Sequence, residues 1–300
     1  MKKKISITGL TGFVGKNLEK YLNDDFDIEG LKLRYSENQS IIIDSDVIIH
    51  LAGKAHDLKK VSSPKDYFDA NYQLTKQVFD AFIQSKASVF IYMSSVKAVA
   101  DKVSGILTEN DSCNPETYYG KSKRKAEEYI LLKTLPSNKR IYILRPCMIH
   151  GPRNKGNLNL LYELVSKGLP WPLGAFENQR SFLSIENLCF VIKELLVNIS
   201  IPSGVYQVSD DKSLSTNQLI ELLGTSLGKK STIWSIPRSW IGSLAKLGDY
   251  LYLPLNSERL QKLTENYVVS NNKIVMAIGK ELPVSVQEGL SKTFKSFNDK

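Results

Sequence analysis

The chain reads as a doubly wound α/β protein: a parallel sheet with helices on both faces, followed by a smaller C-terminal α/β region. Three observations predict this. Short apolar runs alternate with helical patterns through the first half of the chain. Those runs are continuous instead of alternating with polar residues, as expected of strands buried on both faces. A cluster of glycines follows the first run directly.

The elements follow in order. Lys4–Thr8 reads as a short buried strand, and Val14, Leu18, Tyr21 and Leu22 then recur at helical spacing. A second apolar segment covers Ile28–Leu33, and Asp46–Leu51 has strand length. Tyr67–Phe82 has helical spacing, with Asn71, Leu74, Val78 and Phe82 on neighbouring turns. Ala87–Met93 is another buried strand, Tyr118–Leu132 a helix, and Ile141–Leu144 a strand ending at Arg145-Pro146. After about residue 150, Gly151, Pro152, Gly156, Pro170, Pro172 and Gly174 punctuate a loop-rich stretch. Asn187–Asn198 then reads as a helix, Val205–Val208 as a strand and Leu214–Leu227 as a helix. Residues 1–155 are expected to form one domain, with part of 181–210 returning to it. Residues 156–300 form mainly a second, smaller one.

Composition narrows the class. The 300 residues are 42% hydrophobic and 24% charged, the balance of an ordinary globular protein. The formal charge of +9 suits either nucleic acid or a small anionic ligand. The lysines are scattered and no nucleic-acid motif is visible, so phosphates are favoured over nucleic acid. Cys113, Cys147 and Cys189 are odd in number and widely spaced, which argues against a disulfide framework or a zinc site. His50 and His56 lack a completing Glu or Cys, so no metal is expected. The opening Met1-Lys2-Lys3-Lys4 lacks the apolar stretch of a signal peptide, and no run of about 18 apolar residues occurs. The expected location is cytoplasmic, without stable membrane insertion.

The glycine cluster carries the first chemistry. Gly9, Thr11, Gly12, Phe13, Val14 and Gly15 sit where the first strand meets the first helix. Glycines there allow a tight turn, backbone approach to a pyrophosphate and close helix–sheet packing. The helix N-terminus adds free N–H groups and a positive dipole end. This context makes the cluster a dinucleotide-binding loop of the Rossmann type. An NAD enzyme usually offers a carboxylate to the ribose at the end of the second strand. Here Lys32-Leu33-Arg34 stand at that place, and Arg34 suits a 2′-phosphate, so NADPH is slightly favoured over NAD.

The second chemistry lies further on. Ser94-Ser95 follow the strand ending at Met93, and Tyr119-Gly120-Lys121-Ser122-Lys123 comes later. Positions four apart share a helix face, so Tyr119 and Lys123 point the same way, whereas Tyr118 faces Ser122. A free phenol has a pKa of about 10 and is a poor base. A neighbouring ammonium is expected to lower that value, letting the phenol exchange a proton with a sugar hydroxyl or carbonyl. Ser95 is expected to hydrogen-bond the same substrate oxygen.

With these residues in place, the chain resembles the extended short-chain dehydrogenase/reductase superfamily, in its nucleotide-sugar epimerase/dehydratase branch. The likeness rests on TGLTGFVG, DVIIHLAGKAH, DANYQLTKQ, YMSSVKAV, YYGKSKRKAEE and ILRPCMIHGP, and in the second half on GNLNLLYELV, NQRSFLSIENL and VYQVSDD. The resemblance implies that Leu51, Ala52, Gly53, Lys54, Asn71 and Met93 line the dinucleotide. It implies that Lys123 also holds the nicotinamide ribose, and that Pro146 and Cys147 lie near the nicotinamide. It assigns Asn157 and Arg180 to the UDP part of the substrate, with Arg259 as a further candidate, and makes the 156–300 region a substrate domain. It also implies a homodimer through helices like 67–82 and 118–132.

One departure is informative. Related 4,6-dehydratases carry an Asp-Glu pair after the catalytic hydroxyl residue, and here Val96-Lys97 stand there. Dehydration is therefore disfavoured. The resemblance favours reduction of a UDP-linked 4-keto sugar, of the 2-acetamido-6-deoxy kind, in surface-polysaccharide synthesis. A C4 epimerase is the alternative, and an inactive Rossmann sensor or assembly subunit is a third reading, opposed by the intact Ser95, Tyr119 and Lys123. The aromatic, amphipathic segment Ser239–Leu255 is expected to pack within the substrate domain, ahead of a surface-binding role.

Overall fold

The computed structural model describes residues 2–55, 63–154, 157–251 and 256–297. The first half runs β1 (Lys4–Thr8), α1 (Phe13–Leu22), β2 (Asp27–Leu31), β3 (Val47–His50), α2 (Pro64–Phe68), α3 (Leu74–Gln84), β4 (Val89–Met93), β5 (Ile106–Leu107), α4 (Tyr118–Leu131) and β6 (Arg140–Pro146). Next come β7 (Met148–His150), α5 (Asn157–Ser166), β8 (Arg180–Ser184), α6 (Ile185–Val197), β9 (Gly204–Val208), β10 (Ser213–Leu214) and α7 (Thr216–Ser226). The chain ends with α8 (Arg238–Leu251), α9 (Ser257–Thr264), β11 (Val268–Val269), α10 (Asn272–Ile278) and α11 (Val286–Lys295).

The central sheet has six strands in the order β2-β1-β3-β4-β6-β9, and every pairing is parallel. Parallel strands covered on both faces must be apolar throughout. β3 and β4 meet that condition, with every residue buried. The chain leaves β1 toward β2 and later turns back to β3 on the other side. Ligands bind at such a reversal, beyond the carboxyl ends of the strands. The expected Rossmann architecture is present, and β9 returns to its edge from late in the sequence.

Two apolar layers flank this sheet. One joins α1 and α6 to its first face through Leu18, Leu22, Leu188, Ile192 and Leu195. The other joins α3 and α4 to the second face through Val78, Phe79, Phe82, Ala126 and Ile130. The crossover from β2 to β3 carries no helix; residues 32–46 form a loop. Its Ile43 is buried in the second layer, and Leu33, Tyr35 and Ile41 pack partly against it. The apolar segment read through Leu33 therefore leaves the sheet at Leu31, because its later residues cover the core from the loop.

A third cluster lies away from the sheet and gathers Trp171, Leu173, Phe182, Leu219, Leu223, Ile241, Leu290 and Phe294. A small sheet, β10-β8-β7, borders it. Asn187 fastens this region to the first. Its amide donates to Asp210 Oδ1 and to the Val284 carbonyl, each at 2.7 Å, and its oxygen accepts from the Val284 N–H. Asp210 also accepts from the Ser184 N–H at 2.9 Å. Asn187→Ala leaves these buried groups short of partners, and a loss of about 2–3 kcal/mol is expected, measured as a lower urea midpoint at unchanged slope.

Candidate active site

The glycine loop is shaped by backbone crowding. Gly9 adopts φ +74°, and a Cβ there would sit 2.9 Å from the Ala52 nitrogen. Loop and β3 thus approach more closely than a side chain permits. Gly12 caps α1 without any side-chain bond to its N–H groups, and the first turn holds no acid. A ten-residue helix whose N-terminal N–H groups take no side-chain cap suits a pyrophosphate. The donors, the turn and the parallel sheet fit a dinucleotide.

The segment after β3 is fastened from below. Thr8 Oγ1 accepts from the Ala52 N–H at 3.1 Å and bonds His50 Nδ1 at 2.7 Å. His50 Nε2 bonds Thr75 Oγ1 at 2.9 Å. Burial, with Lys123 adding to it, holds the imidazole down to about 3, so His50 is neutral packing. Asn71 lies fully buried in a π-helical turn, Asp69–Gln73, between α2 and α3. It accepts from the Lys54 N–H at 2.7 Å and donates to the Lys54 carbonyl and to Ser122 Oγ, both at 2.9 Å. The extra residue in a π turn re-aims one side chain, and here it lets Asn71 clamp the Gly53-Lys54 backbone to α4. Lys54 Nζ pairs with Asp66 at 3.3 Å.

Thr117 caps α4, accepting from the Gly120 N–H at 3.2 Å. A Cβ on Gly120 would stand 2.3 Å from the Lys97 carbonyl. The missing side chain thus lets α4 abut the short turn Val96–Ala98 and brings Tyr119 to Ser95. The Ser95 hydroxyl hydrogen-bonds the Tyr119 phenol. Lys123 is buried; its ammonium donates to the Met93 carbonyl at 2.8 Å and lies 4.9 Å from the Tyr92 ring centre.

The electrostatics correct one expectation. Burial pushes the Tyr119 phenol above its usual value, and the Ser95 bond opposes that rise. The Ser95 bond favours the phenolate against that burial. Lys123 is itself held down to about 8 by burial, with Glu127 opposing. The ammonium donates to a carbonyl and lies over a ring face.

Behind Lys123 lies a buried ion pair. Glu127 Oε1 and Oε2 accept from Arg145 Nε at 2.9 Å and Nη2 at 2.6 Å. Ser94 Oγ donates to the same carboxylate at 2.5 Å. The spacing YxxxKxxxE places Glu127 one turn below Lys123, a signal present in the sequence but unused in reading it.

These groups face a cavity of about 450 Å³. Its wall includes Leu51, Gly53, Lys54, Met93, Ser95, Tyr119, Lys123, Pro146 and Cys147 from the central sheet's side, and Arg180 from β8. Arg180 Nη1 donates to the Lys262 carbonyl. Burial pushes the Cys147 thiol up, so it is no nucleophile. Arg34 is exposed, past the end of β2. Glu29 of β2 accepts from Ser6 and pairs with Lys4. Arg259 is exposed on α9 and is not among the residues lining this cavity. The side chain of Asn157 lies outside the described residues, as do His56 and residues 252–255.

Lys97 and Tyr267 also line the cavity without having been singled out as site residues. The Lys97 ammonium donates to the Asp101 carbonyl at 2.8 Å and lies 4.2 Å from the Tyr267 ring centre. Tyr267 comes from far along the chain, beside β11, which pairs with β5. No local pattern could have announced it.

Fold and site together define an NAD(P)-dependent enzyme of the extended short-chain dehydrogenase/reductase type. The sequence model of the NAD dependent epimerase/dehydratase family matches residues 5–208, and the chain belongs to that family. It is similar to a UDP-glucose 4-epimerase of Vibrio cholerae, at 29% identity over 99% of this chain and 96% of that one. It is 28% identical to the N-acetyl-alpha-D-glucosaminyl-diphospho-ditrans,octacis-undecaprenol 4-epimerase of Escherichia coli O157:H7, over 98% of this chain and 95% of that one. The fold matches the Bordetella bronchiseptica enzyme WbmG in complex with NAD, with a TM-score of 0.75, 15% identity, and coverage of 100% and 95%.

The Lys123 shift has a consequence for stability. Between about 8 and its unfolded value of 10.5, the unfolded chain holds a proton that the folded chain lacks. Stability from this group therefore rises with pH across that window; the penalty is complete below it and gone above it. Urea midpoints of the native chain should gain more between pH 8 and pH 10 than those of Lys123→Met.

Proposed function

We propose that the chain transfers hydride at C4 of a UDP-linked hexose, as an NAD(P)-dependent 4-epimerase or 4-ketoreductase of glycan synthesis. One observation carries the reading: the Tyr119 phenol, bonded to Ser95, and the Lys123 ammonium face the same cavity as Arg180. The bound nicotinamide supplies or accepts the hydride. Every other step belongs to the protein. Gly9–Gly15 and the α1 N-terminus would hold the pyrophosphate, and Asn71 fastens the Gly53-Lys54 edge of the cleft. Lys123 would bond the nicotinamide ribose, and Pro146 and Cys147 would wall the ring. Ser95 donates to the C4 oxygen while Tyr119 exchanges its proton with that oxygen. Arg180 pairs with the sugar diphosphate, to which a guanidinium donates two parallel bonds. Asn157 and Arg259 are assigned to the UDP end on family likeness alone. Residues 156–300 would form mainly the substrate domain, with part of 181–210 returning to the first.

Val96-Lys97 place no carboxylate where elimination of water would need one, so loss of the C6 hydroxyl is disfavoured. Within this chemistry, the family resemblance of the motifs favours reduction of a 2-acetamido-6-deoxy-4-keto sugar. Epimerisation is favoured by the likeness to two 4-epimerases along nearly the whole chain. The same side chains serve both, since epimerisation is oxidation followed by reduction on the other face. The exposed Arg34, past the end of β2, continues to favour NADPH over NAD. A homodimer through α3 and α4 belongs to the same proposal.

Purified protein incubated with UDP-N-acetylhexosamine, or with its 4-keto-6-deoxy form and reduced nicotinamide, separates the two uses. A reductase consumes one reduced cofactor per product; an epimerase converts the first substrate with no net consumption. Tyr119→Phe should lower turnover by about 10²–10⁴ in either case while leaving cofactor binding intact. Unchanged turnover in that variant rejects the assignment.

A further inference from the structure

α8 presents a row of apolar side chains to solvent. Trp240, Leu244, Leu247 and Leu251 are each at least half exposed. Spacings of four, three and four residues put all of them on one side of the helix. Ile241, Ala245 and Gly248, on the adjoining side, are buried and hold the helix to the protein. Tyr250 is 81% exposed, and Trp234 on the preceding segment is 53% exposed. Single exposed apolar residues are ordinary, but a contiguous row marks a contact surface.

Charge selects the occupant. Residues 228–251, α8 and the segment before it, carry Lys229, Lys230, Arg238 and Lys246 against one acid, Asp249, which accepts from Ser257. Protein interfaces are depleted in lysine. The boundary layer of an anionic bilayer favours what is found here: tryptophan and tyrosine at headgroup depth, leucines below them, and lysines reaching phosphates. Among the described residues no helix is long and apolar enough to cross a membrane, so the contact would be a surface one.

We propose that α8 docks the enzyme reversibly on an anionic phospholipid surface, lying flat in the headgroup layer. The surface is outside the catalytic machinery but joined to it. Asp249 of α8 accepts from the Ser257 N–H at the start of α9, at 2.9 Å, and Arg180 donates to the Lys262 carbonyl of α9. A bilayer-bound enzyme would therefore hold its substrate cavity two helices from the lipid. The proposal stands whichever sugar reaction the cavity performs.

The test is sedimentation of the full chain with vesicles of phosphatidylcholine alone or enriched in phosphatidylglycerol. The native chain should pellet with the anionic vesicles and be released by high salt. The triple variant Trp240→Ser, Leu244→Ser, Leu247→Ser should bind about tenfold more weakly, with melting temperature and turnover retained. Lys230→Glu with Lys246→Glu, which keeps the apolar row intact, should weaken binding several-fold. Three outcomes overturn the idea: no pelleting of the native chain, equal pelleting of the serine variant, or a loss of self-association in that variant. The last would give the row to a second copy of this chain.

Discussion

The carboxylate of Glu127 holds the site together. It is buried on α4, one turn below Lys123, and accepts hydrogen bonds from Arg145 on β6 and from Ser94 at the end of β4. Three elements of the parallel sheet layer therefore converge on one charge. A buried ion pair contributes little to stability by itself, because desolvation offsets the attraction. Its effect here is positional. It fixes the rotation of α4, and with it the direction in which Tyr119 and Lys123 leave the helix. It also supplies the one negative charge that opposes loss of the Lys123 proton.

Around that fixed helix, the fold brings two polar systems to one cavity. The topological reversal between β1 and β3 opens the cleft, and backbone groups line it. Thr8, His50 and Thr75 form a neutral hydrogen-bonded column beneath the strand ends, and Asn71 ties the next loop to α4. The cationic side is contributed separately. Lys97 and Arg180 arrive from the turn after β4 and from β8, each donating to a backbone carbonyl, with Glu265 acting on both and Asp101 on Lys97 from nearby. Cations held that way keep their charge available for an anionic ligand, which accounts locally for part of the net charge of +9.

Most of the central sheet was legible because buried parallel strands must be unbroken apolar runs. KISIT, DVIIHL, ASVFIYM and IYIL leave little freedom of interpretation. The Tyr119–Lys123 pairing was legible because helix geometry is regular. The direction of the phenol's shift was not, since burial is a tertiary quantity and reverses the effect expected from a neighbouring ammonium. β5, β10 and β11 have two residues each and show no periodicity. Tyr267 was illegible for a similar reason: an isolated bridge to Arg180 and its hydroxyl's bond to the Ala100 carbonyl bring it to the cavity from far along the chain. The π turn at Asn71 was also hidden, because an extra residue within a continuous helical pattern leaves no local mark.

The central claim is geometric: a phenol tied to Ser95 addresses C4 of a sugar whose other face meets the nicotinamide. A crystal structure of the enzyme with reduced cofactor and a UDP-hexose tests it most directly. The account predicts the Tyr119 oxygen within hydrogen-bond reach, about 2.6–3.2 Å, of the C4 oxygen, with Lys123 on the nicotinamide ribose. A complex in which another ring carbon faces the nicotinamide, or in which the phenol is turned away from the sugar, contradicts it.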